Sequence, residues 1–340
     1  MTATLAGECH KLAAKSSSVS PLDRIVFGWA APTATFERLS QAFPDLTVQL
    51  ASGENFIRAL PGAKAAVAWS MKPEEYAAAS HLRWFQSIGA GVERVLLPGM
   101  RENGLVVTNT SGIHSSNISE HLLSLMLAFA RQLPTLFEGQ SRHEWRDGPD
   151  FRNTVFELAG STLVVVGFGD IGRALARKAN ALDMRVIGVR RNTGGDTPAF
   201  VEKLVGLHQL ADVIGEADHV AICLPQTHGT TGLFDAELIG QMKPGSYLYN
   251  IGRGPIVDTG ALVAALASGH LGGAGLDVTD PEPLPQGSPL WNDRRVIITS
   301  HTAGSTPHFW SRITEILVEN ITRFQNGEPL RNVVDYDTGY

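Results

Sequence analysis

The sequence predicts an α/β protein of two domains, and three observations carry that prediction. Short apolar, β-branched runs alternate with amphipathic helical stretches along most of the chain, the pattern of parallel sheets covered by helices. One βαβ-length unit, residues 161–191, carries a glycine fingerprint at its strand-to-helix turn. The length, 340 residues, exceeds what one core usually serves.

The fingerprint unit reads STLVVVGFGDIGRALARKANALDMRVIGVRR. Thr162 to Val166 is a buried strand, and Gly167, Gly169 and Gly172 follow it as G-x-G-x-x-G. The first glycine permits a tight turn, the second lets backbone approach a pyrophosphate, and the third lets the helix pack closely on the sheet. The turn residues Phe168, Asp170 and Ile171 complete the cradle. Ile171, Ala174, Leu175, Ala179 and Leu182 form the apolar face of the helix that follows. Its N-terminal amides and dipole suit phosphate. A strand-to-helix turn with no ligand is the bland alternative, but the flanking strand and helix supply the context a dinucleotide site needs. A second strand, Arg185 to Val189, ends in Arg190 and Arg191 where an acid would bind ribose hydroxyls. Arginine forks suit a phosphate, so NADP(H) is expected over NAD(H); solvated surface arginines are the alternative.

Taken in order, residues 1–21 are Ser- and Ala-rich without a signal-peptide core. A disordered extension is expected, with an organelle-targeting segment as the alternative. Strands are expected at Arg24–Trp29, Leu46–Leu50, Ala65–Trp69, Leu82–Ile88 and Val106–Val107, with helices at Thr33–Phe43 and Pro73–Ser80. No phosphate fingerprint occurs there, which makes this the substrate-side domain. In IGAGV, Ala90, Gly91 and Val92 offer a candidate helix start whose free amides suit a carboxylate; on these residues alone an ordinary glycine-containing strand-to-helix turn is the favoured reading. A long helix over Ser115–Leu133, capped by Ser116 or Asn117, is apolar on more than one side, as at a domain junction or dimer contact. Arg142–Arg152 reads as a loop or short helix, and Asn192–Thr197 as a flexible loop.

Leu207–Ile214 is expected as a helix, and further strands at Asp218–Leu224, Ser246–Ile251, Gly275–Val278 and Arg295–Thr299. Ligands bind at the carboxyl edge of such sheets. That edge receives Leu224, Pro225 and Thr230 after one strand, and Asn250, Ile251, Gly252 and Arg253 after the next. It then receives Asp277 with Glu282, and finally His301 with Gly304. Histidine suits proton transfer to a carbonyl oxygen during hydride transfer. A carboxylate, here Glu282, orients its ring, and arginine grips a 2-oxo acid. Asp277 is read as an acceptor for the cofactor carboxamide. Trp69, Met71, His114 and Trp310 are candidate lining residues for the substrate side chain, with a core or interface position the equal alternative for each.

Composition narrows the classes. A net charge of −6 without a basic block argues against nucleic acid. Cys9 and Cys223, the 2 cysteines, lack metal-ligand spacing and point to a reducing, cytoplasmic setting without disulfides or metal. No run approaches transmembrane length.

The motifs IGAGVERV, NISEHLLSLMLAFAR, VVVGFGDIG, LPQTHGTTGLF, NIGRGPIVD, GLDVTDPEPLP, SPLW and SHTAGST occur in this order. With them the chain resembles the D-isomer-specific 2-hydroxyacid dehydrogenases, especially the glyoxylate/hydroxypyruvate reductase-like members, from about Arg24 to Asp335. The resemblance implies two Rossmann-like domains: a doubly wound dinucleotide-binding domain (118–305) and a discontinuous flavodoxin-like substrate domain (22–117 and 306–340). It also implies catalytic roles for Arg253, Glu282 and His301, a carboxylate loop at Ala90–Val92, cofactor contacts at Leu224, Ile251 and Asp277, and a homodimer. A C-terminal helix near Pro307–Asn326 returns to the first domain. Arg190 stands where NAD-dependent members carry an acid, and Glu282 argues against formate dehydrogenase activity, whose members pair the histidine with an amide. Hydroxypyruvate or glyoxylate is the expected substrate, with bulkier 2-oxo acids close behind. A dinucleotide-sensing corepressor on the same fold is the rival reading.

Overall fold

The computed structural model describes residues 22–339 except 94, 192, 193 and 195. The expected extension at residues 1–21, with Cys9, lies outside the described residues, as do parts of the 192–197 loop.

In chain order the elements begin with β1 (Arg24–Phe27), α1 (Thr33–Ala42), β2 (Thr47–Leu50), α2 (Glu54–Ala59), β3 (Ala65–Ala68), α3 (Pro73–Ala78), β4 (Trp84–Ser87) and β5 (Val106–Thr108). These five strands pair in parallel in the order β2-β1-β3-β4-β5, the flavodoxin-like order. Three helices follow: α4 (Ser115–Ala130), α5 (Leu133–Ser141) and α6 (Pro149–Arg152). The second sheet uses β6 (Thr162–Val166), α7 (Asp170–Asn180), β7 (Arg185–Arg190), β8 (Lys203–Gly206), α8 (Leu210–Ile214), β9 (His219–Ile222), α9 (Ala236–Gln241), β10 (Tyr247–Asn250), α10 (Thr259–Ala267), β11 (Gly273–Leu276) and β12 (Val296–Ile298). Its order is β12-β11-β10-β9-β6-β7-β8, parallel throughout. The chain winds outward in both directions from the β6/β9 pair. That pair is therefore a topological switch point, where a crevice opens at the carboxyl ends.

Burial explains the strand composition. β3, β4, β6, β9 and β11 are buried at every residue, as expected of sheets covered on both faces. The last helix, α11 (Phe309–Asn326), returns to the first sheet. Its Ile313, Ile316, Leu317 and Ile321 join Ile25, Phe27, Leu39 and Trp84 in one core. Residues 333–334 then run beside β5, with Val334 N donating to Val107 O at 2.8 Å.

Four expectations are corrected. The helix expected over Ser115–Leu133 breaks after Ala130, with Gln132 at φ 53° and α5 beginning next to Pro134. Proline cannot donate the amide that continuing the first helix requires. Neither Ser116 nor Asn117 caps α4. His114 precedes it, the Ser116 hydroxyl donates to Glu120, and the Asn117 amide donates to Ala303 O. The helical face ascribed to Leu182 ends earlier, at Asn180, and Leu182 is exposed. No helix begins at Ala90–Val92; the segment is a bend and turn, closed by Val95 N donating to Val92 O at 2.9 Å.

Candidate functional site

The seven-stranded sheet delivers its loops to one edge in spatial order. Across β12, β11, β10, β9, β6 and β7 the edge carries His301, Glu282, Arg253, Leu224, the glycine turn and Arg190. Neighbouring strands lie ~4.8 Å apart, so Arg253, after β10, stands two strand spacings from the glycine turn that follows β6, and His301, after β12, stands four.

The glycine turn has the shape a pyrophosphate needs. Gly167 has φ +104°, and a Cβ there would lie 2.6 Å from the Cys223 carbonyl. A Cβ on Gly172 would lie 2.1 Å from Gly167 O. At Gly169 a Cβ would meet nothing within 4 Å, so backbone faces open space. Helix α7 starts there with no side-chain cap, leaving its first amides unsatisfied. Phe168 is buried under the turn, while Asp170 and Ile171 stay accessible. At the end of β7, Arg190 is half-buried and donates from Nη2 to Gly194 O, and its buried Nε has no protein partner. Arg191 beside it is exposed. Open glycine backbone, uncapped amides and an orphaned guanidinium nitrogen together fit a phosphorylated dinucleotide.

Two turns position the middle of the edge. Thr230 Oγ1 donates to Pro225 O at 2.8 Å and accepts from Thr227 N at 2.8 Å, closing the loop after Leu224. The buried Asn250 donates from Nδ2 to Arg253 O at 2.9 Å, and its Oδ1 accepts from Gly252 N at 3.0 Å. A Cβ on Gly252 would lie 2.5 Å from Leu224 O, so the two turns touch. Ile251 is buried beneath them.

His301 Nδ1 lies 2.7 Å from Glu282 Oε1. An ionised Glu282 accepts from Nδ1–H, which leaves Nε2 to exchange a proton. His301 sits at φ +53°, a conformation side chains rarely adopt and one that clusters at functional sites. Its amide donates to Asp277 O at 2.8 Å and Thr299 O at 2.7 Å. The structure shows Asp277 making contacts within the chain itself. Its side chain is 2% exposed. Its Oδ1 accepts from Thr299 Oγ1 (2.7 Å), Thr302 N (2.9 Å) and Ala303 N (3.1 Å). His121 Nε2 lies 2.9 Å from Thr299 Oγ1, extending the network into α4. Asp277 thus braces the turn that presents His301.

The first domain closes the crevice. Ala90 and Gly91 are accessible, and among the described residues the amides of Ala90, Gly91 and Val92 have no hydrogen-bond acceptor. The Arg253 guanidinium packs on this loop: a Cβ on Gly91 would lie 1.8 Å from its Nη2. The structure therefore brings Ala90–Val92 and the Arg253 guanidinium together. Trp69 is 43% exposed, stacks on Phe309 at 5.8 Å and meets Trp29 edge-on at 6.3 Å. His114 also stacks on Phe309, at 5.9 Å, and lies beside Gly304. Burial and the nearby Arg312 charge hold the His114 imidazole below its ordinary pKa. Met71 does not line this region; it is 2% exposed within the first-domain core. Sequence reasoning passed over Glu93, which pairs with Arg253, and Phe309, around which the aromatic cluster is built.

Among the described residues no His, Cys, Asp or Glu group is arranged to hold a metal ion, and no helix is long and apolar enough to cross a membrane.

Comparison with known proteins bears on this edge. The family model described as the D-isomer specific 2-hydroxyacid dehydrogenase, NAD binding domain, matches residues 123–303. Glyoxylate reductase of Pyrococcus furiosus is 32% identical over 75% of this chain and 76% of its own length. D-3-phosphoglycerate dehydrogenase of Mycobacterium tuberculosis is 33% identical over 84% of this chain, which spans only 54% of that longer protein. Among solved structures, NADPH-dependent glyoxylate/hydroxypyruvate reductase of Sinorhizobium meliloti, in complex with NADP and sulfate, superposes with a TM-score of 0.80. It is 30% identical, and the match covers 94% of this chain and 100% of that one.

Proposed function

The chain belongs to the D-isomer-specific 2-hydroxyacid dehydrogenase family, and from that premise we propose that it reduces a 2-oxo acid to the D-2-hydroxy acid with NADPH, His301 delivering the proton. The observation that carries this reading is the 2.7 Å His301–Glu282 pair on the same sheet edge as Arg253 and the glycine turn.

The reduced dinucleotide, when bound, supplies the hydride. The chain's own residues do the rest. Gly167–Gly172 and the first amides of α7 hold the pyrophosphate, with Leu224, Pro225, Thr230, Asn250, Ile251, Gly252 and Gly304 shaping the groove. Arg190 and Arg191 hold the 2′-phosphate, the basis for NADPH over NADH. Arg253 and the amides of Ala90, Gly91 and Val92 hold the substrate carboxylate, which fixes the carbonyl carbon for attack. His301 Nε2 gives its proton to the carbonyl oxygen as the alcohol forms. Glu282 holds the ring at Nδ1 and stabilises the imidazolium before transfer; such general acid catalysis is worth roughly 10²–10⁴-fold. Trp69, whose ring lies beside Gly89, is assigned to the substrate side chain. The Sinorhizobium enzyme's cofactor and its glyoxylate/hydroxypyruvate activity support the same choices here.

The test is NADPH and NADH oxidation with glyoxylate, hydroxypyruvate, pyruvate and phenylpyruvate. Turnover of at least one acid with a higher kcat/KM for NADPH is expected. Cofactor binding with no turnover of any 2-oxo acid would favour the sensor reading instead.

A further inference from the structure

The ion pair between Glu93 and Arg253 joins the two domains across the crevice, and its geometry assigns a job to the acid. Arg253 Nε donates to Glu93 Oε1 at 3.1 Å and Nη2 donates to Glu93 Oε2 at 3.4 Å. Nη1 donates to Gly252 O at 2.8 Å. A guanidinium has five N–H groups in a rigid plane, so this arrangement uses three of them. One hydrogen on Nη1 and one on Nη2 remain. Glu93 takes the Nε–Nη2 edge, so the fork not engaged by it is the Nη1–Nη2 end, the geometry that receives a carboxylate or a keto-acid oxygen pair. The pair also explains Gly91: a side chain there would collide with both partners, lying 1.8 Å from Arg253 Nη2 and 2.6 Å from Glu93 Oε2.

We propose that Glu93 is a positioning and specificity residue: it locks the Nε–Nη2 edge of Arg253 so that only the end fork is offered to substrate, and its charge weakens that fork's hold on carboxylates. The proposal rests on the assignment of Arg253 to the substrate carboxylate. Two opposed effects follow from one side chain. Holding the guanidinium plane reduces the rotamer freedom lost on substrate binding and so favours turnover. Placing a carboxylate on the far side of the same guanidinium opposes a second anion, which limits the affinity for substrate and for acid product alike. A hydroxy acid that leaves readily is the consequence. The acid lies in the turn just after the open amides of Ala90–Val92, so the loop that receives a carboxylate also carries the group that tempers its binding.

Charge and position separate in two variants. Glu93→Gln keeps one of the two acceptors for Arg253 and removes the charge. It is expected to lower KM for glyoxylate and Ki for oxalate, a non-reacting dianion, by about three- to tenfold, the size of one like-charge contact in a half-solvated site. NADPH affinity stays unchanged. Glu93→Ala removes both effects and is expected to lower kcat at least fivefold, with Glu93→Asp restoring part of it. Unchanged KM and Ki in Glu93→Gln, with full kcat in Glu93→Ala, would reduce Glu93 to a surface ion-pair partner and overturn the proposal. Arg253→Ala measured alongside separates the premise: a KM raised 10-fold or more keeps Arg253 on the substrate carboxylate whatever the Glu93 variants do. A KM within twofold of wild type removes that assignment and the role of Glu93 with it.

Discussion

Replacing Asp277 by asparagine tests how the turn around His301 is held. Three donors converge on Asp277 Oδ1, from Thr299 Oγ1, Thr302 N and Ala303 N, at 2.7, 2.9 and 3.1 Å. The Ala303 amide also lies 3.2 Å from Oδ2. Hydrogen bonds to a charged acceptor contribute about 1.5–3 kcal/mol, against about 1 kcal/mol for neutral ones. Asparagine keeps one acceptor oxygen but turns each of these bonds into a neutral one. Its nitrogen, placed at Oδ2, would face the Ala303 N–H donor to donor. Bonds in one network do not add fully, so Asp277→Asn is expected to cost about 2–3 kcal/mol. Urea denaturation reads this as a lower midpoint at unchanged slope. Because the same turn holds His301 at φ +53°, kcat is expected to fall by about tenfold or more, as reacting groups lose register. An unfolding free energy within about 0.5 kcal/mol of wild type, combined with a raised NADPH Kd, would refute this account. Asp277 would then act on the cofactor carboxamide.

Three other outcomes follow from the same structure. Gly172→Ala places a Cβ 2.1 Å from Gly167 O and 2.9 Å from Val165 Cγ1; the turn must open, and NADPH affinity by fluorescence titration is expected to fall at least tenfold. Arg190→Ala with Arg191→Ala is expected to raise the NADPH KM by about 10–100-fold, the worth of one or two charge-assisted bonds, and to leave the NADH KM unchanged in steady-state assays. Burial holds His219 at about 4, below its ordinary 6.5. The unfolded chain therefore binds the proton that the folded chain refuses. Stability is full above about pH 6.5 and falls by about 3 kcal/mol as pH drops towards 4. His219→Gln is expected to flatten that slope in urea melts taken across the window.

Local chemistry makes much of the candidate site legible in the sequence. The turn glycines are required by neighbours a few residues or one strand away, so Gly167, Gly169 and Gly172 announce themselves. Arg253, Glu282 and His301 each follow a strand of a parallel sheet, and parallel strands deliver their carboxyl ends to one edge. Contacts that depend on how the two domains face each other had no such signal. Glu93 reaches a partner 160 residues away, and Trp69 finds Phe309 only because α11 returns to the first sheet. Asp277 was visible as an acid at a strand end, but its amide donors lie on the next turn, 25 and 26 residues on. Some signals were present and unused. Pro134 marks the break between α4 and α5. Asp235 and Asp258 cap α9 and α10, each accepting an amide at 2.9 Å, a start signal of the ordinary kind. Helix α2 begins after Gly53 at φ 58°, a kink that no side-chain cap advertises.

The most direct measurement compares wild type with His301→Ala in one pair of assays, NADPH oxidation driven by a 2-oxo acid and NADPH binding at equilibrium. Loss of at least 10²-fold in kcat with binding intact is the predicted result. Turnover in the variant within a few-fold of wild type would contradict His301 as the proton donor, and the mechanism built on it.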